Sequence, residues 1–363
     1  MKPGVFGTVE KLARELQRQR AARQDLVADT RSLTLKTNDE GKSALTVNYK
    51  GDEFSYDVND LAHRQIADKL KIPFGYYQRM LIEAPELLDT NVNNWFNQNP
   101  EQRMLRILDG NVRAFLSARY RRLDNLELLN AVLPVIQKMR GAVIESMDVT
   151  DTHMFLKVVN RNMKAEIVEG DIVYSGFVIS NSEVGVGAIN VSPMLMRKVC
   201  NNGLIIDELG NKKYHAGKTV ADTDTAYELY SDQTMALDDA AYFSKAQDIV
   251  YAAADDIKFG SIVEKVRDAA RIHTGDNPML TVEKLADRFV LNKQEQANVL
   301  IHFMQDRDFS LYGLTNAVTR ASQDVKDYNR ATEMEKMGGV LLQEADSFKF
   351  GVKKTRAKEL MAA

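Results

Sequence analysis

Residues 180–205 read SNSEVGVGAINVSPMLMRKVCNNGLI, and their folding decides between an α/β nucleotide-binding chain and a mixed α+β chain. Gly185-Val186-Gly187 opens like a dinucleotide fingerprint, but the third glycine would fall at Asn190. No acidic residue closes a convincing next strand, and the β-α-β context is missing, so the Rossmann reading fails. A strand over 179–184 fits better. Ile179, Asn181 and Glu183 alternate there with Ser180, Ser182 and Val184. The alternation slips between Ala188 and Ile189, which predicts a bend at the glycines. Ser192-Pro193 then predicts a helix start, with Ser192 as cap and Pro193 in the first turn. Met194, Leu195, Val199 and Cys200 would form its buried side, and Gly203 would be a left-handed cap after Asn201-Asn202. Arg197 and Lys198 either offset the dipole at the end of that helix or belong to a basic stripe.

Upstream, residues 5–27 read as a helix with Val9, Leu12, Ala13 and Leu16 on one face. Residues 32–57 alternate as a hairpin around Lys50-Gly51-Asp52. Residues 58–97 switch to helical spacing, with Asn59 or Asp60 as cap and Pro73 and Pro85 as breaks. Trp95 is expected as a core anchor there. Residues 103–121 return to strand pattern around the turn Leu108-Asp109-Gly110-Asn111. A helix follows over 124–139, capped by Asp124 or Asn125 and striped by Leu126, Leu129, Leu133 and Ile136. Three strands then precede the opening stretch, at 142–150, 153–160 and 171–182. The order predicts an α+β fold, a mixed or antiparallel sheet core with a packed helix. From residue 221 the pattern is helical nearly throughout, with a turn at His273–Pro278. The expected organisation is a basic N-terminal helix or arm over 1–30, an α+β core over 31–220 and a mainly helical region over 221–363.

The 363 residues carry a formal net charge of −3, so any attraction to a polyanion must be local. Residues 101–220 hold sixteen Lys/Arg against thirteen Asp/Glu, whereas 221–270 hold four against eleven. Cys200 is the only cysteine, which excludes an internal disulfide and a multi-cysteine metal centre. A reducing cytoplasmic compartment is expected. No apolar run is long enough for a membrane span, and the first twenty residues lack the apolar core of a signal peptide. His153 with Asp151 on a strand face could ligate a metal, but no third ligand has convincing spacing. His215 lies in a basic segment and His273 in a turn. Cys200, on an apolar helix face, reads as an inert thiol.

Four stretches resemble a family of phage- and plasmid-borne proteins described only as a domain of unknown function. They are HRQIADKLKIPFGYYQRM, RYRRLDNLELL, SNSEVGVGAINVSPMLMRKVCNNGL and YGLTNAVTRASQDVKDYNRATEMEKMGGVLL. The resemblance spans residues from about 40 to 345. It implies mobile-element DNA and a cytoplasmic bacterial host, and it implies no cofactor. The element order is also similar, at the level of shape, to single-strand annealing proteins of phage recombination, which form rings.

A single-strand binder needs cations for phosphates and rings for bases. Arg113, Phe115, Arg119 and Arg121 would share one strand face, with Tyr120 and Arg122 on the other. Lys157, Arg161 and Lys164 form a second basic set, and Lys212, Lys213, His215 and Lys218 a third. Arg197 and Lys198 would assist. A solvated surface is the plain alternative for each set. The expectation is binding of DNA, single-stranded by preference, by a homo-oligomer with no membrane attachment and no covalent chemistry. The rivals are a metal-dependent nuclease built around Asp151 and His153, and an interaction protein that inhibits a host defence factor.

Overall fold

In the computed structural model the described residues are 1–49, 51–120, 122–187, 189–206, 232–253 and 256–343. They form an α+β fold with two sheets. Helix α1 (Val9–Ala22) starts at Thr8, whose hydroxyl accepts the Lys11 amide, and it buries Leu12 and Leu16. It ends five residues sooner than expected. The positions that would continue the Leu12–Leu16 face are Gln19, Arg20 and Arg23, so no apolar stripe remains to bury. The chain becomes strand β1 (Arg23–Asp29) instead.

Strands β2 (Leu33–Thr37), β3 (Ser43–Tyr49) and β4 (Asp52–Val58) form a three-stranded meander, one strand more than the expected hairpin, whose turn is the β3–β4 connection with Gly51 at φ +92°. Helices α2 (Asp60–Lys69), α3 (Phe74–Glu83) and α4 (Pro85–Gln98) follow. Asn59 caps α2 by accepting the Ala62 amide at 2.8 Å. Strands β5 (Gln102–Leu108) and β6 (Asn111–Ser117) join through Asp109 and Gly110, both at positive φ, as a two-residue type I′ turn requires. The six strands lie in the order β1-β5-β6-β4-β3-β2, antiparallel except for a short parallel contact between β4 and β6. The three helices cover one face over a core that includes Leu45, Ile66, Tyr77, Val92 and Phe96. Phe96, not Trp95, is the anchor: Phe96 is 1% exposed and Trp95 39%.

Helix α4 also seals the β2 edge. Asn93 accepts the Leu35 amide at 2.8 Å and donates to the Leu35 carbonyl at 2.9 Å. Asp89 accepts the Thr37 amide at 2.8 Å and its hydroxyl at 2.7 Å. Side chains four apart on a helix thus meet residues two apart on a strand, and the edge cannot take another chain.

Helix α5 (Asn125–Lys138) leads into an antiparallel sheet of β7 (Ala142–Val149), β8 (Met154–Glu166), β9 (Ile172–Asn181), β10 (Asn190–Arg197) and β11 (Asn202–Ile205), in the order β11-β10-β9-β8-β7. Residues 192–200 are therefore not a helix. Val191, Met194, Leu195 and Met196 are buried in β10 between two partners, while Val199 is 66% exposed and Cys200 half-buried in the next turn. Pro193 is tolerated because its carbonyl, and hence its nitrogen, faces Ile206, just past the end of the β11 ladder. The left-handed residue is Asn201, at φ +49°, while Gly203 lies within β11 against Met194 and Glu335.

Helices α6 (Asp232–Ala253), α7 (Asp256–Ala269), α8 (Pro278–Phe289), α9 (Lys293–Asp306), α10 (Leu311–Ala321) and α11 (Tyr328–Gln343) make the C-terminal region helical, as expected. The expected boundary near residue 221 lies outside the described residues. Helices α1, α5 and α6 pack with β8 and β9 in one core, and α7 to α11 pack with β9, β10 and β11 in another.

Candidate nucleic-acid interface

The strand pattern over 113–121 predicts one basic-aromatic face, and a bulge prevents it. Arg106 pairs with Ala114 and Ile107 with Val112, so Arg113 is the extra residue. An extra residue reverses the side-chain alternation. Val112 and Phe115 consequently face the helix layer together. Phe115 is 3% exposed and stacks on Phe96 with centroids 5.7 Å apart, so it is not offered to a base. Arg113 turns to the opposite face and pairs with Glu183 at 2.5 Å. Strand β6 ends at Ser117, so Arg119 and Tyr120 lie in the connection to α5.

Two further expected contacts are internal. Lys157 is fully buried and its Nζ is 2.6 Å from Glu335 Oε2 of α11. Arg197 pairs with Asp171 at 2.9 Å and with Asp306 at 3.4 Å. Neither side chain forms a solvent-facing basic stripe. Arg161 is on the surface but pairs with Glu145 at 2.5 Å. Arg119, Arg122, Lys164 and Lys198 are exposed. Arg121, Lys212, Lys213, His215 and Lys218 lie outside the described residues.

The structure brings together a buried charge network that the sequence reading missed. Arg106, fully buried on β5, reaches Asp25 at 3.1 Å, Asp124 at 2.8 Å and the Glu183 carbonyl at 2.8 Å. Arg23 adds contacts to Asp25 and Asp124. Burial would raise the Asp124 carboxyl, but Arg106 and Arg23 outweigh it and hold it below the usual carboxylate range. Asp124 occupies the first position before α5, yet its carboxylate serves the arginines, and Glu183 Oε1 accepts the Asn125 amide at 2.7 Å instead. The available signal was Arg106 itself, a charge inside the apolar run Met104–Leu108, which must be paired if buried. Gln19, Arg20, Arg23, Arg113, Asp124, Glu127 and Glu183 line a cleft of about 10 Å³ beside the network, the size of one water molecule.

This network fixes two loops against each other. The β9–β10 turn puts Gly185 at φ +80° and exposes Gly185, Val186 and Gly187, so the expected bend at the glycines is present. Tyr120 donates its hydroxyl to the Ser182 carbonyl at 3.1 Å, and Gln65 donates to the Val184 carbonyl at 2.8 Å. Burial pushes the Tyr120 phenol above its usual value. Ser117 accepts the Tyr120 amide at 2.9 Å through its carbonyl and the Arg119 amide at 3.3 Å through its hydroxyl. The backbone from Ser117 to Tyr120 is therefore held, with the exposed side chain of Arg119 on it and that of Arg122 just beyond. Arg122 Nη1 lies 3.7 Å from Asp25 Oδ2.

Asp151 and His153 sit in the β7–β8 turn rather than on a strand face. His153 is half-buried, stacks on Phe155 and lies against Gly187; burial, then Lys336, holds its imidazole below the ordinary value. Among the described residues no group of three or more His, Cys, Asp or Glu could hold a metal ion. Cys200 Sγ is 3.7 Å from Arg197 Nη1. No helix among the described residues is long and apolar enough to cross a membrane. Comparison with protein-family models, with curated proteins and with solved structures found no match.

Proposed function

We propose that the protein binds single-stranded DNA, in phage or plasmid recombination or replication, through the Ser117–Leu123 connection rather than along β6. The observation that supports this reading is the exposed Arg119 and Arg122 on a backbone pinned at Ser117 and Tyr120 beside an exposed glycine turn. Arg121 lies between them in sequence. Cations on a fixed segment give up little backbone freedom on meeting a phosphate chain, and glycines let that chain approach closely. With Phe115 buried and the Tyr120 hydroxyl engaged, phosphate contact carries the binding, so it is tolerant of sequence and steep in salt. Annealing by a homo-oligomer is the corresponding activity, since one short segment holds few nucleotides.

The test is the paired variant Arg119→Glu with Arg121→Glu, titrated with single-stranded DNA over a salt series. Binding is expected to be lost at moderate salt. With neutral replacements, two lost contacts lower the slope of log affinity against log salt by roughly 1.4. Unchanged affinity with an unchanged circular dichroism spectrum refutes the site.

A further inference from the structure

We propose that two copies of this chain join along β1, pairing antiparallel about Leu26 to merge two six-stranded sheets into one. The inference starts from the sheet edges. The β2 edge is closed by Asp89 and Asn93. Residues 5 and 6 cross β7, where the Val5 amide donates to Asp148 and the Phe6 amide to the Met147 carbonyl. Strand β11 lies under α11, with Gly339 against the Ile205 carbonyl. Strand β1 is an edge that no such element covers among the described residues; its sequence RQDLVAD has no proline or lysine, and its Arg23 and Asp25 side chains are drawn into internal ion pairs.

The direction of each β1 peptide group follows from the register. The Phe115 amide donates to Gln65, away from β5, so the Leu105–Phe115 pair is not hydrogen-bonded and Leu105 points its polar groups at β1. Leu105 pairs with Leu26. Gln24, Leu26 and Ala28 therefore bond to β5, as does Thr30, whose amide donates to the Glu101 carbonyl. Asp25 and Val27 point theirs outward. Among the described residues nothing bonds to the amides or carbonyls of these two, and the Val27 side chain is 48% exposed. The outer Arg23 amide and Asp29 carbonyl are already engaged, by Gln19 and Ser32.

A second copy fits this pattern without remainder. Centred on Leu26, antiparallel pairing sets Asp25 opposite the partner's Val27 and Arg23 opposite the partner's Asp29. Every outward amide then meets an outward carbonyl, giving roughly six hydrogen bonds across the two-fold axis. The end pairs are opposite in charge. Moving the centre to Val27 would set Asp25 against Asp29, a like-charge pair that disfavours that register. A two-fold axis normal to the sheet keeps α2, α3 and α4 of both copies on one side. The interface is independent of the DNA reading, and its test contains no DNA.

Sedimentation equilibrium of the full chain at tens of micromolar should give a dimer. Val27→Pro removes an outward amide and leaves the β5 ladder intact, so it should keep the circular dichroism spectrum and weaken the dimer by roughly thirtyfold or more. Val27→Thr should remain a dimer. Leu26→Cys in a Cys200→Ser background should cross-link to itself on mild oxidation, because residue 26 faces its own copy only in this register. A monomeric wild type, a Val27→Pro variant that is folded and still dimeric, or failure of the residue-26 cross-link each overturns the proposal. If Val27→Pro does not fold, the cross-link alone decides.

Discussion

Replacing Glu335 by glutamine should be among the most damaging single changes available in this chain. Glu335 and Lys157 are both fully buried, 2.6 Å apart, and join helix α11 to the middle of the second sheet. The ring of Tyr328 lies 4.6 Å from the Lys157 ammonium, and Glu335 Oε1 has no hydrogen-bond partner. The neutral amide leaves the fully buried Lys157 ammonium with no countercharge, and the Met1 amino group loses the same carboxylate. Breaking a buried pair from one side costs about 3–5 kcal/mol, whereas replacing both members by apolar residues of similar volume is close to neutral. Lys157→Met with Glu335→Leu should therefore lie within about 1 kcal/mol of the parent, far less than the sum of the two single changes. The assay is urea unfolding followed by far-ultraviolet circular dichroism, with equal m-values as the check that the same surface is exposed. A Glu335→Gln variant within about 1 kcal/mol of the parent, or a double variant as unstable as the single one, refutes the reasoning.

Two other outcomes follow from the first sheet. Burial holds the His63 imidazole down at about 4, with Nδ1 2.9 Å from the Tyr77 hydroxyl. The folded chain keeps His63 neutral while the unfolded chain protonates below its ordinary value near 6.5. Stability is thus full above that pH and falls by roughly 2–3 kcal/mol as the pH drops toward 4. His63→Gln should flatten that part of the pH–stability curve, and an unaltered slope in the variant refutes the assignment. Asp89→Ala with Asn93→Ala should cost about 1–3 kcal/mol in thermal unfolding and should raise light scattering with concentration as the β2 edge opens. A variant that stays as stable and as dispersed as the parent argues against the seal.

Much of the fold was legible because it is decided locally. The β3–β4 hairpin follows from strict alternation and a glycine turn, and the β5–β6 hairpin from Asp109-Gly110. Asn59 and Pro85 mark helix starts where capping and proline geometry require them. The candidate site was less legible. Arg119, Arg122, Lys164 and Lys198 are exposed, but Arg113, Phe115, Lys157 and Arg197 are engaged inside the protein. A basic residue shows its charge in the sequence and not its partner. Glu183, Glu335 and Asp171 lie 70, 178 and 26 residues from the cations they neutralise.

Composition and periodicity were enough for the α+β class, the helical C-terminal region and the run of elements from β2 to β9, because each depends on neighbours within a turn or a hairpin. Tertiary structure decided the rest. Residues 23–29 are a strand because β5 lies beside them, and residues 190–197 are a strand because β9 and β11 flank them. One bulged residue at Arg113 determines which face each β6 side chain takes. Strand pairing joins distant segments, and a single inserted residue reverses side-chain parity. Neither leaves a mark in the local pattern of apolar and polar residues.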